Sequence, residues 1–428
     1  MKFLHISDIH LGFNQYQLEE RTRDFGRAWG EVLLKHAIAQ QVDFVLIAGD
    51  FFDKRVPSPQ AFDQAYSGLA ELYRNNIPAV AIEGNHDETQ DNESEYSWLR
   101  ILRNSGLLKL LEPKVGKDAD GNFQMIYEEW NGEENTGSFI DIGRARIFGS
   151  RWYRHSLNAM IGPIIEGVKS NSREDSFNIL MLHTDVEGYE VGRHGHIAAL
   201  SQANLQALKS VTNYIALGHT HKRIEIDNWA FNPGSLETCK VDEFKEERGA
   251  YLVEVDEANN IKAKFLRDYH QRPFARVFFN VDGLQDGKEV TDGVLATVGG
   301  EVTPHDDESG GDAPAPIVEI TLKGHLGFPN SLLEFEEIRD RVQQETGALH
   351  VRLKNNTVPV EYAVAADLSD NVSREERERR AVEDLVARDN RFKKQAVEIA
   401  ELIIGAKRMA LNDDAPDKIF DYISMKTF

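Results

Sequence analysis

Val42-Asp43-Phe44-Val45-Leu46-Ile47-Ala48-Gly49-Asp50 is an almost unbroken apolar run that stops on a glycine and a carboxylate. A strand covered on one face alternates apolar and polar residues, so a run without alternation predicts a strand buried on both faces. The same form recurs on either side. Lys2 to Ile6 reads as a strand followed by Ser7-Asp8-Ile9-His10, and Ile77 to Ile82 as another, ending in Glu83-Gly84-Asn85-His86-Asp87. Between them, Glu19 to Gln40 places Phe25, Trp29, Leu33, His36 and Ala37 at helical spacing, and Ser58 to Asn75 carries a second helical pattern. This βαβ rhythm places the chain in the α/β class and predicts a parallel sheet with helices on its faces. Further strands are expected at Arg146 to Phe148, Asn178 to Leu182, Tyr214 to Leu217, Trp229 to Asn232 and Ala250 to Val255. The polar stretch Lys114 to Asn135 reads as a surface excursion.

The chemistry sits where the runs stop. Asp8-Ile9-His10, Gly49-Asp50, Gly84-Asn85-His86-Asp87, Leu182-His183 and Gly218-His219-Thr220-His221 each follow an apolar strand. In an open α/β sheet the carboxyl ends of the strands form the ligand-binding edge. Asp8 and His10 are two residues apart, as are His219 and His221, so each pair projects to one side of an extended chain. A lone Asp-x-His or a lone histidine on an apolar strand is ordinarily structural. All five segments in order, each after a strand, make a metal site. Asp8, His10, Asp50, Asn85, His183, His219 and His221 are its candidate ligands, with Asp50 the natural bridge between two ions. Nitrogen and oxygen donors without thiolate suit Mn²⁺, Mg²⁺, Fe²⁺ or Zn²⁺. Histidines 5, 36, 155, 194, 196 and 270 lack this context and read as structural.

Composition bounds the rest. With 428 residues, 41% apolar and 28% charged, the chain fits a globular protein of two or three domains. Met1 to Gly12 does not read as a signal peptide, and no apolar run reaches the roughly 20 residues of a membrane helix. A single cysteine, Cys239, points to a reducing cytoplasm. The net charge of −22 argues against tight, metal-free DNA binding, although bound divalent cations invert the local field.

The composition shifts at Gln271-Arg272-Pro273-Phe274. Beyond it, Ala275 to Val281, Ile317 to Leu322, His350 to Lys354 and Pro359 to Val364 look extended, Ser331 to Thr346 helical, and Thr303 to Pro316 a loop, together a small α+β domain. Ser373 to Leu411 carries aliphatics at helical spacing, including Val397, Leu402 and Ile403, which fits either a solvated helix with a core face or a partner-binding helical pair. The expected domains are residues 1–270, 271–365 and 366–428.

The motif order D-x-H, G-D, G-N-H-D, H, G-H-x-H over about residues 1 to 240 resembles the calcineurin-like metallophosphoesterase superfamily. Within it, Phe3 to Gly12, Arg23-Asp24-Phe25, Val42 to Asp53 and Arg272-Pro273-Phe274 resemble the Mre-eleven/SbcD nucleases of double-strand-break repair. The resemblance implies a β-sandwich flanked by helices in four αββα layers, a small capping domain and C-terminal helices. It implies two divalent ions, most commonly Mn²⁺: one on Asp8, His10, Asp50 and His221, the other on Asp50, Asn85, His183 and His219. His86 is then the catalytic histidine that binds no metal; as its neighbour in the chain, Asp87 is a candidate either to hold the His86 tautomer, as carboxylates do behind many ligand histidines, or to cap the next helix. Some relatives carry a second histidine where this chain has Asp53. Implied too are 3′-to-5′ exonuclease action on duplex ends, endonuclease action on hairpins and single strands, and a cytoplasmic, nucleoid-associated protein. An SMC-like ATPase of the Rad-fifty/SbcC type would dock on the C-terminal helices, and a homodimer would form through Ser58 to Asn75 and Ser97 to Leu111. Asn14, Gln15, Tyr16 and Arg55, in loops beside the ligand strands, are candidate DNA contacts. The core motif alone leaves open small phosphodiesters or phosphoproteins as alternative substrates.

Overall fold

The computed structural model describes residues 1–88, 97–189, 199–305, 314–358, 374–387, 389, 391–411 and 414–424. It divides into two compact units, Met1–Arg272 and Pro273–Phe428. The expected boundary near residue 365, the stretch Pro359 to Val364, most of the Thr303 to Pro316 loop, His194 and His196 lie outside the described residues.

Two six-stranded sheets build the first unit. In spatial order the first is β14 (Ile261–Leu266), β13 (Ala250–Val255), β1 (Lys2–Ile6), β2 (Phe44–Ala48), β3 (Ala79–Ile82) and β4 (Lys109–Leu110). The second is β11 (Ile224–Ile226), β12 (Ala230–Asn232), β10 (Tyr214–Gly218), β9 (Phe177–His183), β8 (Ala145–Phe148) and β7 (Phe139–Ile142). Strands β1 to β4 run parallel, as do β8, β9, β10 and β12, while β13, β14, β11 and β7 join antiparallel.

Three apolar layers explain the assembly. Alternate residues of β1 and β2 (Leu4, Ile6, Val45, Ile47) pack with helices α1 (Glu19–Val32), α2 (Pro59–Arg74) and α3 (Trp98–Asn104). The residues between them, Phe3, Phe44, Leu46 and Ala48, face Ile179, Met181, Tyr214 and Phe231 of the other sheet. Leu180, Leu182, Ile215 and Leu217 cover the far side with α4 (Leu157–Asn171) and α5 (Gln202–Leu208). The result is the four-layer αββα order. This is the layering that the family resemblance implies: the βαβ rhythm gives the parallel strands of each sheet, and each sheet has helices on its outer face only. An apolar run reports burial of both faces, and a second sheet buries a face as well as a helix does.

Lys114 to Asn135 is more than an excursion. It holds the hairpin β5 (Lys114–Lys117) and β6 (Phe123–Ile126), from which Met125 and the following Tyr127 pack with α4. His5 is structural, as expected. Fully buried on β1, it accepts from the Tyr214 hydroxyl at 2.9 Å and donates to the Leu217 carbonyl at 3.1 Å, pinning one sheet to the other. Burial holds its pKa down to about 3, so it crosses the interior uncharged.

The second unit alternates β15 (Phe274–Asn280), α6 (Gly287–Glu301), β16 (Ile317–His325), α7 (Phe335–Thr346) and β17 (His350–Val358), with its three strands parallel and the helices as crossovers. Its core joins Val318, Ile320 and Leu322 of the central strand to Val294 and Val298 of α6 and Ile338 and Val342 of α7. Helices α8 (Arg374–Ala387), α9 (Ala396–Leu411) and α10 (Pro416–Ser424) follow.

Asp24 on α1 anchors the last turn of the first unit. Its carboxylate accepts from the buried Arg21 at 2.6 Å, from the buried Arg272 at 2.6 and 2.7 Å and from the half-buried His270 at 2.8 Å. Burial alone would raise its pKa, but His270 and the two guanidinium groups hold it well below the carboxylate range. Glu237 completes the cluster by accepting from the Arg272 backbone N–H at 2.8 Å. Removing one partner of a buried ion network leaves uncompensated charge, at a cost of about 3–5 kcal/mol. Asp24→Ala is therefore expected to lower stability by that amount in denaturant titration, with Asp24→Asn in between. A loss under about 1 kcal/mol for Asp24→Ala would refute the anchor role.

Candidate metal centre

The carboxyl ends of β1, β2, β3, β9 and β10 open on one edge of the sandwich, and the seven candidate ligands converge there. Backbone geometry shows how. Asp8, His10 and Asp50 adopt left-handed φ of 51°, 48° and 49°, and His219 one of 91°. Non-glycine residues there are strained, typically by 1–3 kcal/mol each, and such strain collects at functional sites. Backbone bonds from Asp8 to the Gly49 carbonyl (3.1 Å) and from His10 to the Asp50 carbonyl (3.0 Å) hold the first two turns side by side. Glycine is required at two of the turns. A Cβ on Gly218 would lie 2.1 Å from the Ala48 carbonyl oxygen, and one on Gly84 2.2 Å from an Asp50 carboxylate oxygen.

Side chains sort into two groups about Asp50. On one side, His10 Nε2 and His221 Nε2 face each other at 3.1 Å, with Asp8 Oδ1 3.9 Å from His221 Nε2. On the other, Asn85 Oδ1 lies 3.1 Å from His183 Nε2 and 2.8 Å from His219 Nδ1. Asp50 Oδ2 stands between them, 3.8 Å from His10 Nε2 and 3.3 Å from His183 Nε2. Its other oxygen accepts from the His86 backbone N–H at 2.8 Å. Burial opposes ionisation of Asp50, yet His183 and the other imidazoles hold it far below the usual range, while His183 is raised to about 9, burial being outweighed by Asp50. The same carboxylate thus meets both groups.

Hydrogen bonds behind the imidazoles fix which nitrogen faces inward, the ordinary device for a ligand histidine. His183 Nδ1 donates to the Ala48 carbonyl at 2.8 Å, and His221 Nδ1 to the Glu243 carboxylate at 3.1 Å. Two Nε2 lone pairs facing each other at 3.1 Å, on the buried His10 and the half-buried His221, repel unless a cation or a proton lies between them, so the donor set fits a metal ion. His86 Nδ1 donates to the Asp53 carbonyl at 2.6 Å, leaving Nε2 to face outward.

This last bond corrects the role expected for Asp87. Its carboxylate turns away from the His86 ring and accepts from the backbone N–H groups of Phe51, Phe52 and Gly84, each at 3.1 Å. Asp87 thereby ties the β3 turn to the β2 turn, and a backbone carbonyl orients His86 instead. Burial and the Asp50 charge raise its pKa to about 7, against the three donors. Sequence reading also missed Glu243 behind His221, Asp185 (3.6 Å from His219 Nε2 and accepting from Thr220 at 2.6 Å) and Trp152, whose ring lies 4.7 Å from that of His219. Asp185, two residues after His183, repeats the Asp8–His10 spacing and was findable; Glu243 lies in an irregular segment with no periodic signal. Of the candidate DNA contacts, Asn14 and Arg55 are exposed and Gln15 and Tyr16 half-buried, in the loops after β1 and β2.

Asp87→Ala orphans three buried N–H groups, each worth about 1–3 kcal/mol. Stability is expected to fall by more than about 2 kcal/mol in chemical denaturation, with His86 still bonded to the Asp53 carbonyl. An unchanged unfolding midpoint would refute the tie.

The calcineurin-like phosphoesterase family matches residues 1–223, a stretch that contains every residue of both groups. The chain is also similar to proteins named DNA double-strand break repair protein Mre11. That of Archaeoglobus fulgidus is 42% identical over 250 residues, 55% of this chain and 50% of the relative. That of Sulfolobus acidocaldarius is 25% identical over 84% of both chains, and that of Methanococcus maripaludis 28% identical over 58% of this chain and 60% of its own. The match thus spans about half the length of the first of these. Such phosphoesterases work with divalent metal ions, which the nitrogen and oxygen donors on either side of Asp50 suit. On the strength of that match and this geometry, the chain belongs to the calcineurin-like phosphoesterase family.

Proposed function

We propose that this chain is a metal-dependent DNA nuclease of double-strand-break repair that holds two divalent ions, Mn²⁺ in the first instance. The position of Asp50 Oδ2 between a His10–His221 group and an Asn85–His183–His219 group carries the reading. Asp8, His10, Asp50 and His221 would hold one ion, and Asp50, Asn85, His183 and His219 the other. Bound there, the pair supplies an activated water and neutralises charge on the phosphate. His86 is free to serve the leaving group: with Nδ1 donating to a carbonyl, the imidazolium form of the ring, which carries a second proton on Nε2, would pass that proton to the departing oxygen, a role worth typically 10²–10⁴-fold. The names of the relatives support DNA as the substrate, with Asn14, Gln15, Tyr16 and Arg55 as contacts beside the edge. Exonuclease action on duplex ends and endonuclease action on hairpins and single strands are part of this reading, as is a place on the nucleoid.

Two surfaces fit the partners. Leu385, Val397, Ile403, Leu411 and Phe420 stay exposed on the C-terminal helices, as docking to an SMC-like ATPase requires. Phe62 and Tyr66 of α2 line an apolar cavity with Pro57 and Trp98, which favours a homodimer through α2 and α3. Among the described residues no helix is long and apolar enough to cross a membrane.

Asp50→Ala removes the shared carboxylate. It is expected to abolish turnover and to lower metal content in elemental analysis. Two retained ions per chain with normal turnover would overturn the assignment. His86→Gln is expected to keep its metal and lose about 10²-fold or more in turnover on DNA. Its loss on bis-p-nitrophenyl phosphate should be smaller, because a phenolate needs little protonation. Equal losses on both substrates would exclude leaving-group protonation, and hydrolysis of p-nitrophenyl phosphate without DNA cleavage would favour a phosphatase.

A further inference from the structure

A wall of the metal centre is built by a segment to which no role has been given. Between β8 and α4 the chain runs Gly149-Ser150-Arg151-Trp152-Tyr153. The Trp152 ring lies 4.7 Å from His219, tilted by 42°, and 5.6 Å from His183. It is half-buried, whereas Trp29 and Trp229, which serve the apolar layers, are buried. The base of the loop is fixed. The Gly149 N–H donates to the Ser138 carbonyl at 2.9 Å, its carbonyl accepts from the Tyr127 hydroxyl at 3.0 Å, and a Cβ there would meet Leu111 Cβ at 2.4 Å. Arg151 beside it is exposed and makes no ion pair among the described residues. It lines a cavity of about 530 Å³ with Arg100 and Arg103, both of which are engaged by Glu112 at 2.7 and 2.5 Å.

We propose that Trp152 is the platform on which a nucleobase beside the scissile phosphate stacks, with Arg151 meeting the adjoining phosphate. This rests on the nuclease reading above and narrows it to a substrate with at least one unpaired base at the site. An indole held in a fixed loop presents a flat surface at little entropic cost, and every base has a face to lay on it, so the contact is independent of sequence. The charge argument is local. In a chain of net charge −22, Arg151 is an exposed cation beside the site that forms no ion pair among the described residues, with the Glu83 carboxylate acting on it only from a distance. Filling space against His219 needs only an apolar side chain; a base platform needs the ring.

The test uses the full-length, metal-loaded protein on a short single strand, intact or with one abasic nucleotide on either side of the cleaved linkage. Wild type should prefer the intact strand, by kcat/KM, about tenfold or more at one of the two positions. Trp152→Leu, which keeps apolar bulk against His219, should bring that ratio near one with metal content unchanged, and Trp152→Phe should restore most of it. Arg151→Gln should lower the slope of log KM against log salt by about 0.7. If the intact-to-abasic ratio is the same in wild type and Trp152→Leu, the platform is wrong. A fall in bound metal with the ratio preserved also sinks it, because Trp152 then only packs against the ligands. Failure of metal-loaded wild type to cleave the intact strand removes the nuclease reading itself, and the platform with it.

Discussion

β1 crosses the sandwich core against β10, and the site depends on that contact. Phe3 meets the edge of Tyr214 with ring centroids 5.1 Å apart, and His5 bonds both the Tyr214 hydroxyl and the Leu217 carbonyl. These contacts fix how far one sheet slides along the other. With that offset set, the turn after β1 meets the turn after β10: both Asp8 oxygens accept from the His219 backbone N–H at 3.0 Å, and His10 faces His221. A slip of one strand residue, about 3.3 Å, would part donor atoms now 3–4 Å from one another. The core therefore acts on function directly, by positioning two strand edges that come from opposite sheets.

Strain and compensation are coupled at this edge. Four site residues sit in left-handed backbone, which would relax were the turns free. They are held by bonds between turns: Asp8 and His10 to the carbonyls after β2, Asp87 to the N–H groups of Phe51, Phe52 and Gly84, and Asp50 to the backbone of His86. Asp87 and Asp50 each accept backbone hydrogen bonds. Only Asp50 also faces imidazoles, so one carboxylate serves structure while the other is available to cations.

Burial of so many titratable groups would be costly if each stood alone. Within the site, Asp50 offsets the burial of His183, and Cys239 together with Glu243 that of His221. Away from it, Asp24 does the same for Arg21 and Arg272. The high acid content of the chain is thus partly internal, and overall net charge is a poor guide to the field at the metal centre.

Much of this was readable in the chain. Apolar runs ending in Gly49-Asp50 or Gly218-His219 reveal both strand and site, because a doubly buried strand tolerates no polar residue until it emerges at the edge. The fourfold layering was legible only through family resemblance, since a covering sheet and a covering helix leave the same run. Helix α6 was overlooked although Val290, Val294, Leu295 and Val298 stand at helical spacing, because Gly287, Gly293, Gly299 and Gly300 weaken its helix propensity, and packing of those four apolar side chains decides it. Asp87 follows His86 in the chain, yet its carboxylate reaches Phe51 and Phe52, because side chains of adjacent residues in a turn diverge. Glu243 and Trp152 stand beside the histidines through loops without periodicity. The sequence by itself determined the strands, their order of motifs and the donor atoms. Tertiary structure decided which nitrogen of each imidazole faces inward, which carboxylate is shared and what walls the site, because each depends on groups distant in the chain and brought within hydrogen-bond reach only by the packing of two sheets.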